Sequence, residues 1–264
     1  MSQSPLKIAL LGAAGRMGQA LIQQISASDQ LALASALVRR ESDAYGRDAG
    51  QLAGLDALGL LAGTELHPAD VLIDFSSSEV LEHRLAECVT QQLPVVSGTT
   101  ALSASAEAAL RDAAAHIPVL WAPNMSLGVA LLDRLCREAA QAVGVDADIE
   151  IVEMHHRNKV DAPSGTALAL ARSIAAARSQ NPAVINSNRS GAARREPGEI
   201  GVAALRGGDV VGDHTVHIAL DGERLSLTHR SGSRRAFADG ALRAARWLTG
   251  QPPGLYGLPD VLKA

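Results

Sequence analysis

The sequence predicts an α/β protein with a parallel sheet in its first half and a smaller α+β part in its second half. In the first half, short apolar runs alternate with segments of helical periodicity, as in strands joined by crossover helices. In the second half, three strand-like segments follow one another without helices, which indicates a mixed or antiparallel sheet. Aromatic residues make up only 2% of the chain, so the core must be built from Ala, Leu, Val and Ile.

The first half begins with an apolar run, residues 6–11, that ends at a glycine, as a buried parallel strand does. A helix at 16–28 and a second strand at 31–38 follow. The sequence then predicts a strand at 71–75, a helix at 79–91, a strand at 94–97, a helix at 103–115 and a strand at 117–121. Such alternation with short connections predicts a parallel sheet covered on both faces.

The second half begins with a helix and a half-exposed strand. One helix face is predicted from apolar residues repeating every four positions, namely Leu127, Leu131, Leu135 and Ala139. The strand is predicted from the alternation of Ala147, Ile149 and Ile151 with Asp148 and Glu150.

The remaining elements are predicted in order as a helix at about 166–178, strands at 200–206, 210–220 and 224–230, and a helix at about 234–248. Asp221-Gly222 is a strong hairpin turn signal between the last two strands. The polar segment 186–198 is predicted to be a mobile loop, and a Pro/Gly-rich tail follows the last helix.

Composition excludes several classes of function. The chain has 24 basic and 28 acidic residues, which argues against a general nucleic-acid binder. Cys88 and Cys136 have neither CxxC nor metal-ligand spacing, so they fit a reducing compartment and predict no disulfide. A charge-free window at 113–132 is interrupted by Pro118 and Pro123, which favours strand, loop and helix over a membrane span. A cytoplasmic protein is expected.

A glycine-rich loop lies between the first strand and the first helix. Its residues are Gly12, Ala13, Ala14, Gly15, Arg16, Met17 and Gly18. The GxxGxxG spacing is a variant of the dinucleotide fingerprint, in which glycines let the backbone approach a pyrophosphate at a helix N-terminus. The loop therefore predicts a dinucleotide site in a Rossmann-like domain, the alternative being an ordinary strand–helix turn.

The end of the second strand bears on the choice of cofactor. An NAD-specific fold places Asp or Glu there, whereas an arginine nearby accommodates the 2'-phosphate of NADP. The strand ends at Val38, which Arg39 and Arg40 follow. This favours NADPH, or use of both cofactors, over strict use of NADH; the alternative is a solvated basic loop.

Two further loops follow strands of the same sheet and are candidates for contact with a nicotinamide ring. They comprise Ser97, Gly98, Thr99 and Thr100, and Ala122, Pro123, Asn124, Met125 and Ser126. Turn formation, with Ser126 as the N-cap of the next helix, accounts for these residues equally well.

The segment 153–166 (EMHHRNKVDAPSGT) predicts a site for a small anion undergoing proton transfer. Ser164 is a natural helix N-cap, so the N–H groups of Gly165 and Thr166 can bind a carboxylate. Lys159 adds a positive charge. The adjacent His155 and His156 add imidazoles, the side chains best suited to proton transfer at neutral pH.

The histidines and the lysine of this segment also have alternative interpretations. A zinc site is disfavoured because no Cys or third His lies at ligand spacing, and no metal is expected. Lys159 could instead form a surface ion pair with Asp161, which would contribute little to stability.

With GAAGRMG near the amino terminus and HHRNKVDAPSGTAL in the middle, the chain resembles the 4-hydroxy-tetrahydrodipicolinate (dihydrodipicolinate) reductases. The resemblance spans essentially the whole chain. Supporting matches are Ile73-Asp74-Phe75, Gly98-Thr99-Thr100, Asn124-Met125-Ser126, the run from Arg206 to Thr215, and Ser233-Arg234 with Phe237. The second motif is highly specific, whereas the glycine loop is not.

The resemblance implies reduction of a cyclic product of pyruvate and aspartate semialdehyde, on the route to diaminopimelate and lysine. It implies that His155 is a proton donor and acceptor and that Lys159 donates a proton and holds the substrate. It assigns His156, Gly165 and Thr166 to the substrate carboxylates. It assigns to the NAD(P)H site Gly12, Ala13, Ala14, Gly15, Arg16, Met17, Arg39, Gly98, Thr99, Thr100, Ala122, Pro123, Asn124 and Met125.

The resemblance also implies a domain organisation. Residues 1–126 and 235–264 form the dinucleotide-binding domain, and residues 127–234 form a substrate-binding domain that builds a homotetramer through its open sheet. Many members have an acidic residue where this chain has Val38, which puts a preference for NADH in doubt.

Two alternative functions remain. One is an NAD(P)-dependent dehydrogenase of another small carboxylic acid; an acylating aldehyde dehydrogenase would need a nucleophilic cysteine, and both cysteines look structural. The other is a non-enzymatic dinucleotide-sensing regulator, which would need a segment that binds a partner or DNA.

Overall fold

The computed structural model describes residues 4–187 and 189–263. The described residues fall into two compact units, one within Met1–Leu127 and Arg234–Ala264 and the other Gly128–Ser233. Among these residues, no helix is long and apolar enough to cross a lipid bilayer.

The helices and strands are described in chain order. They are β1 Leu6–Leu11, α1 Arg16–Ser26, β2 Leu31–Leu37, α2 Ala49–Leu52, β3 Val71–Asp74, α3 Ser78–Thr90, β4 Val95–Ser97, α4 Ala104–Ala114, β5 Pro118–Trp121, α5 Leu127–Val143, β6 Asp148–His155, α6 Gly165–Ala177, β7 Ile185–Asn186, β8 Ile200–Arg206, β9 Gly212–Leu220, β10 Glu223–Ser231, α7 Arg235–Leu248, β11 Gly254–Tyr256 and α8 Leu258–Val261.

The first unit is built on a six-stranded sheet in the order β11-β5-β4-β3-β1-β2, in which all pairs are parallel. Ile8, Leu10, Leu72 and Ile73 are fully buried, because helices cover both faces of the sheet. The chain leaves β1 first to β2 and then to β3 on its other side, so the strand order reverses beside β1. In open α/β sheets, ligands bind at the carboxyl ends of the strands next to such a reversal. The predicted Rossmann-like sheet is confirmed.

The second unit has a mixed five-stranded sheet in the order β10-β9-β6-β8-β7. β6 runs parallel to β8 and antiparallel to β9, so the predicted open mixed sheet is confirmed. Leu220 pairs with Glu223 across the predicted two-residue turn, where Gly222 has φ +87°. One sheet face packs on α5 and α6 through an aliphatic core that includes Ile149 and Ile151.

The row of α5 residues that faces this core differs from the row that the repeat picked out. The buried residues are Leu132, Cys136 and Ala140, whereas Leu131 and Leu135 are each 39% exposed. Both rows repeat every four residues and are offset by one position. Periodicity therefore finds the helix but cannot decide between adjacent apolar rows.

Apart from Asn186, the described residues of segment 186–198 form neither helix nor strand, as predicted for a loop, and its mobility stays a prediction; Asn188 lies outside the described residues. Asn186 belongs to β7 and pairs with Gly201 of β8. Two arginines join the segment to β6, the central strand of the sheet: Arg189 is ion-paired with Glu150, and Arg195 lies 2.8 Å from a carboxylate oxygen of Asp148. Composition indicated a polar loop, but these attractions join residues far apart in sequence.

The Pro/Gly-rich tail contains structure that was not predicted. β11 adds a sixth strand beside β5, and the ring of Tyr256 packs edge-on against Trp247, with centroids 5.2 Å apart. Three residues are too few for a periodic signal, but they are enough to pair with an open sheet edge. The four-residue α2 escaped prediction for the same reason.

The choice between the two α5 rows can be tested by denaturation at a fixed protein concentration. Leu132→Ala should lower the free energy of unfolding by about 2–5 kcal/mol, because it leaves a cavity in the core of the second unit. The matched control Leu131→Ala should cost about 1 kcal/mol or less, since Leu131 is already partly in solvent. Equal losses in the two variants would contradict this assignment of the buried row.

Candidate active site

The glycine loop after β1 leaves no room for side chains at two positions. Gly12 has φ +85°, and its N–H donates to the carbonyl of Leu37 at 3.1 Å. A Cβ on Gly12 would overlap the carbonyl oxygen of Phe75, and a Cβ on Gly18 would overlap that of Gly12. The backbone is therefore packed tightly under the start of α1.

The N-terminus of α1 is open to an anion. Its N-cap is Gly15, which provides no side-chain hydrogen bond, and its first turn contains no acidic residue. Gly15 and Arg16 are exposed. Helix N–H groups without a side-chain cap, beside a glycine cradle, suit a phosphate or pyrophosphate. The residues present therefore fit a dinucleotide cofactor.

Two arginines follow β2. Val38 is half-buried, and its N–H donates to the carbonyl of Gly63 at 2.8 Å. Arg39 and Arg40 are exposed. The guanidinium of Arg40 lies 5.7 Å from the centroid of the Tyr45 ring. Along the chain, Arg39 is the first basic residue after β2 ends at Leu37.

A buried carboxylate holds together the ends of β3 and β4. Asp74 accepts hydrogen bonds from the hydroxyls of Ser97 and Thr99, each at 2.7 Å, and from the hydroxyl of Ser76 at 2.5 Å. Burial raises the pKa of Asp74, and these hydrogen bonds oppose that rise. The bonds fix the start of the 97–100 loop.

The same loop is packed against a ring. A Cβ on Gly98 would overlap the ring of Phe75, so any larger residue there would displace that ring. Trp121 donates its indole N–H to the carbonyl of Thr99 at 3.0 Å, while Thr100 is exposed.

Helix α7 packs against the loop that follows β5. Met125 is buried, and a Cβ on Gly240 of α7 would overlap the carbonyl oxygen of Met125. The side-chain oxygen of Asn124 accepts the N–H of Ser126 at 2.9 Å. Ala122 is also buried, whereas Pro123 is exposed. The predicted cofactor residues of the first unit thus lie in four loops that follow β1, β2, β4 and β5 of one parallel sheet, with Arg16 and Met17 in the first turn of α1.

In the second unit, the central group of the site is a carboxylate that sequence reasoning missed. Glu153 on β6 is fully buried. Its Oε1 accepts from the backbone N–H of Ser164 and from Arg206, each at 2.9 Å. Its Oε2 accepts from Arg206 at 2.9 Å and lies 2.6 Å from Nδ1 of His155. Burial alone would raise the pKa of Glu153, but these bonds outweigh it and hold the pKa below its usual range.

His155, the last residue of β6, lies in a nearly closed environment. Its side chain is 11% exposed. Its ring meets that of His214 edge-on, with centroids 5.2 Å apart. A Cβ at Gly212 would lie 2.9 Å from Nε2 of His155, so glycine keeps that nitrogen uncovered.

The start of α6 confirms the predicted N-cap. The hydroxyl of Ser164 accepts the N–H of Ala167 at 3.2 Å. The same hydroxyl lies 3.3 Å from Nε2 of His214. Gly165 is exposed, and a Cβ there would meet only open space. The first turn of α6 is therefore accessible to a carboxylate, and Thr166 is half-buried beside it.

Lys159 forms the ion pair with Asp161 that the sequence left open as an alternative. Its Nζ lies 2.7 Å from Oδ1 of Asp161, and this hydrogen bond is the main reason why the pKa of Asp161 lies below its usual range. Between them, Val160 is 97% exposed. The carbonyl of Asp161 accepts from Arg206 at 2.5 Å, so the same arginine binds both this loop and Glu153. His156 is half-buried and accepts, through its carbonyl, the N–H of Lys159.

Glu153, Arg206 and His214 were not predicted as site residues, although one signal was available. Ile149, Ile151 and Glu153 share one face of β6, because side chains alternate along a strand. A carboxylate on the buried face of a strand needs a charged or hydrogen-bonding partner. His214 pairs directly with Glu153 across β6 and β9. In the described residues, no three His, Cys, Asp or Glu side chains are grouped to hold a metal ion.

The family models and the relatives that match this chain agree on one family. The family model "Dihydrodipicolinate reductase, N-terminus" matches residues 6–125, and "Dihydrodipicolinate reductase, C-terminus" matches residues 128–262. The 4-hydroxy-tetrahydrodipicolinate reductase of Pseudoalteromonas atlantica is 45% identical, and those of Alkalilimnicola ehrlichii and Pseudomonas fluorescens are 46% identical. Each alignment covers 97% of this chain and 98% of the relative.

Solved structures share the fold. The dipicolinate-bound dihydrodipicolinate reductase of Paenisporosarcina sp. TG-14 has a TM-score of 0.76 at 22% identity and covers 97% of this chain and 99% of its own. GenD2 from gentamicin A biosynthesis, in complex with NAD, has a TM-score of 0.59 at 13% identity and covers 98% and 91%.

The glycine cradle can be tested by titration with NADPH and NADH, followed by nucleotide fluorescence. Gly12→Ala should weaken binding of both by at least about tenfold, since the new Cβ displaces the loop from Phe75. Gly144→Ala is the matched control, because Gly144 also has a positive φ, +75°, but meets only open space. Unchanged affinity in Gly12→Ala, with the fold intact by circular dichroism, would place the dinucleotide elsewhere.

Proposed function

The chain belongs to the dihydrodipicolinate reductase family, and on that premise we propose that it reduces 4-hydroxy-tetrahydrodipicolinate to tetrahydrodipicolinate with NADPH or NADH. This reaction lies on the route to diaminopimelate and lysine. The observation that carries the proposal is the second-unit site, where the ion-paired Glu153 holds His155 beside the open first turn of α6. That site suits protonation of a substrate bound by its carboxylates.

The first unit would hold the cofactor. Gly12 to Met17 would bind the pyrophosphate, and Arg39 would bind a 2'-phosphate where one is present. The residues facing the nicotinamide would be Gly98, Thr99, Thr100, Ala122, Pro123, Asn124 and Met125. When bound, the reduced nicotinamide supplies a hydride.

The second unit would hold the substrate. The N–H groups of Gly165 and Thr166 at the start of α6 would bind one carboxylate, and His156 and Lys159 would complete the site. The Paenisporosarcina enzyme, which shares this fold, binds dipicolinate, a planar ring with two carboxylates. This supports a cyclic dicarboxylate as the substrate class here.

The reaction needs a proton as well as a hydride. After losing water, the substrate has a conjugated C=C–C=N system, and hydride addition at its far carbon sends negative charge toward the ring nitrogen and the adjacent carbon. His155 or Lys159 then donates the proton, and Lys159 also neutralises a carboxylate. For Lys159 to reach the substrate, its ammonium group must leave or share the carboxylate of Asp161.

The acylating-dehydrogenase alternative conflicts with the cysteines. Cys88 and Cys136 are fully buried, and burial raises the pKa of each thiol to about 12. A thiol in that state is a poor nucleophile at neutral pH. A dinucleotide sensor would have no use for His155 at an anion site.

The proposal extends to domain roles, assembly and compartment. Nucleotide binding belongs to the first unit and substrate binding to the second. The second sheet packs one face on α5 and α6, and Leu205 on its other face is 50% exposed. This supports a homotetramer assembled through that face. Two unpaired, buried cysteines are consistent with the cytoplasm.

The roles of His155 and Lys159 are tested by following nicotinamide oxidation by absorbance with freshly generated substrate. His155→Gln should lower kcat by about 100- to 10,000-fold with little change in KM. Lys159→Ala should lower kcat and also raise KM, because it removes a charge that binds the substrate.

The control is His217→Gln, since His217 bonds to Ser226 on β10 and lies outside the site. Normal kinetics in either site variant would refute its role. An absence of oxidation by the unmodified protein would reject the proposed function.

Cofactor choice is tested by kcat/KM for NADPH and NADH before and after Arg39→Ala. The variant should lose about tenfold with NADPH and little with NADH, since only NADPH has the 2'-phosphate. Arg40→Ala is the matched control, because its guanidinium lies over Tyr45. If kcat/KM with NADPH is unchanged in Arg39→Ala, Arg39 does not bind the 2'-phosphate.

A further inference from the structure

We infer that Glu153 is a positioning residue of this reaction: its carboxylate holds the His155 ring with Nδ1 protonated, so that Nε2 is the nitrogen that exchanges the proton. The inference takes the identity of the reaction from the proposed function. It takes the tautomer from the geometry of the second unit alone. The resemblance assigned no role to Glu153.

The tautomer follows from the donors around the carboxylate. An ionised carboxylate only accepts hydrogen bonds and has about four lone-pair sites. Three of these sites face groups that can only donate: two N–H groups of Arg206 and the backbone N–H of Ser164. The fourth faces Nδ1 of His155 at 2.6 Å. With the bidentate arginine keeping Glu153 ionised, the hydrogen of that fourth bond must come from the imidazole.

The carboxylate is fixed from three directions, so it can orient a ring. Arg206 donates to it from the end of β8. Ser164, the residue before α6, donates its backbone N–H. Glu153 itself is fully buried on β6. One carboxylate thus connects the proton donor to the helix start that would bind a substrate carboxylate, and it sets the distance between them.

The other neighbours leave Nε2 as the working nitrogen. Burial lowers the pKa of His214 to about 4, so its edge-on ring is neutral at neutral pH and is not the proton source. Gly212 leaves Nε2 without a covering side chain. After Nε2 gives its proton to the substrate anion, the neutral ring keeps its Nδ1–H on Glu153, and a proton from water restores the cation.

The tautomer can be read directly by NMR on the full-length protein labelled with ¹⁵N-histidine, without any turnover. The His155→Gln variant identifies the His155 signals among those of the eight histidines. Once the ring is neutral, long-range ¹H–¹⁵N correlations should show a protonated Nδ1 and an unprotonated Nε2. A neutral ring protonated at Nε2 in the unmodified protein would overturn the inference, whatever any variant does.

Glu153→Gln tests the positioning role. The amide has one acceptor oxygen and one donor nitrogen, and Arg206 needs the oxygen, so the amide N–H₂ faces His155 and shifts the ring toward the Nε2–H tautomer. We expect this shift together with a fall in kcat of about 100-fold or more, while KM for the substrate changes less than about threefold.

Glu150→Gln is the matched control, because Glu150 lies on the same strand and is also paired with arginines, but does not touch His155. It should retain the tautomer and the activity. A Glu153→Gln protein that folds and keeps both the tautomer and kcat would refute the positioning role. An unmodified protein with the expected tautomer but no reductase activity would instead refute the proposed function.

Discussion

The structure of the second unit depends on one buried charge and the groups that neutralise it. A carboxylate with no exposed surface is tolerated only if it is paired and hydrogen-bonded. Glu153 meets this condition through β8, the start of α6 and its own strand. Removing one partner would leave an uncompensated charge, so the positions of Arg206 and Ser164 relative to Glu153 are fixed. The arrangement of His155 and the start of α6 around Glu153 follows from this constraint.

The first unit uses a related device with neutral partners. Asp74 ends β3 as Glu153 nears the end of β6, and both carboxylates are buried. Asp74 is bonded to hydroxyl and amide groups, whereas Glu153 has a guanidinium, so burial raises the pKa of the first and the pKa of the second is lowered. Hydroxyl donors suffice to tie two loops together, while an ion pair keeps a carboxylate charged beside an imidazole.

Much of the fold could be predicted from the sequence, because apolar runs, helical periodicity and the glycine loop are local signals. The HHRNKVDAPSGTAL motif likewise predicted His155, Lys159 and Ser164 as functional or capping residues. What could not be predicted depends on distant partners: Arg206 is 53 residues from Glu153, and the arginines of segment 186–198 contact acids on β6. The alternation of apolar and acidic residues along β6 predicted that Ile149 and Ile151 are buried. Extending this alternation by two residues would have predicted that Glu153 is buried as well. It would not have shown which residue neutralises the carboxylate.

The two units differ in how the chain builds them. Gly128–Ser233 is one uninterrupted stretch, whereas the other unit takes α7 and β11 from beyond it. A ribosome therefore releases every residue of the second unit before those that close the sheet edge at β5 and support Met125. Because domains fold as their residues emerge, the second unit can be complete first. The first unit must wait with β5 as an unpaired strand edge, which can pair with other chains until β11 covers it.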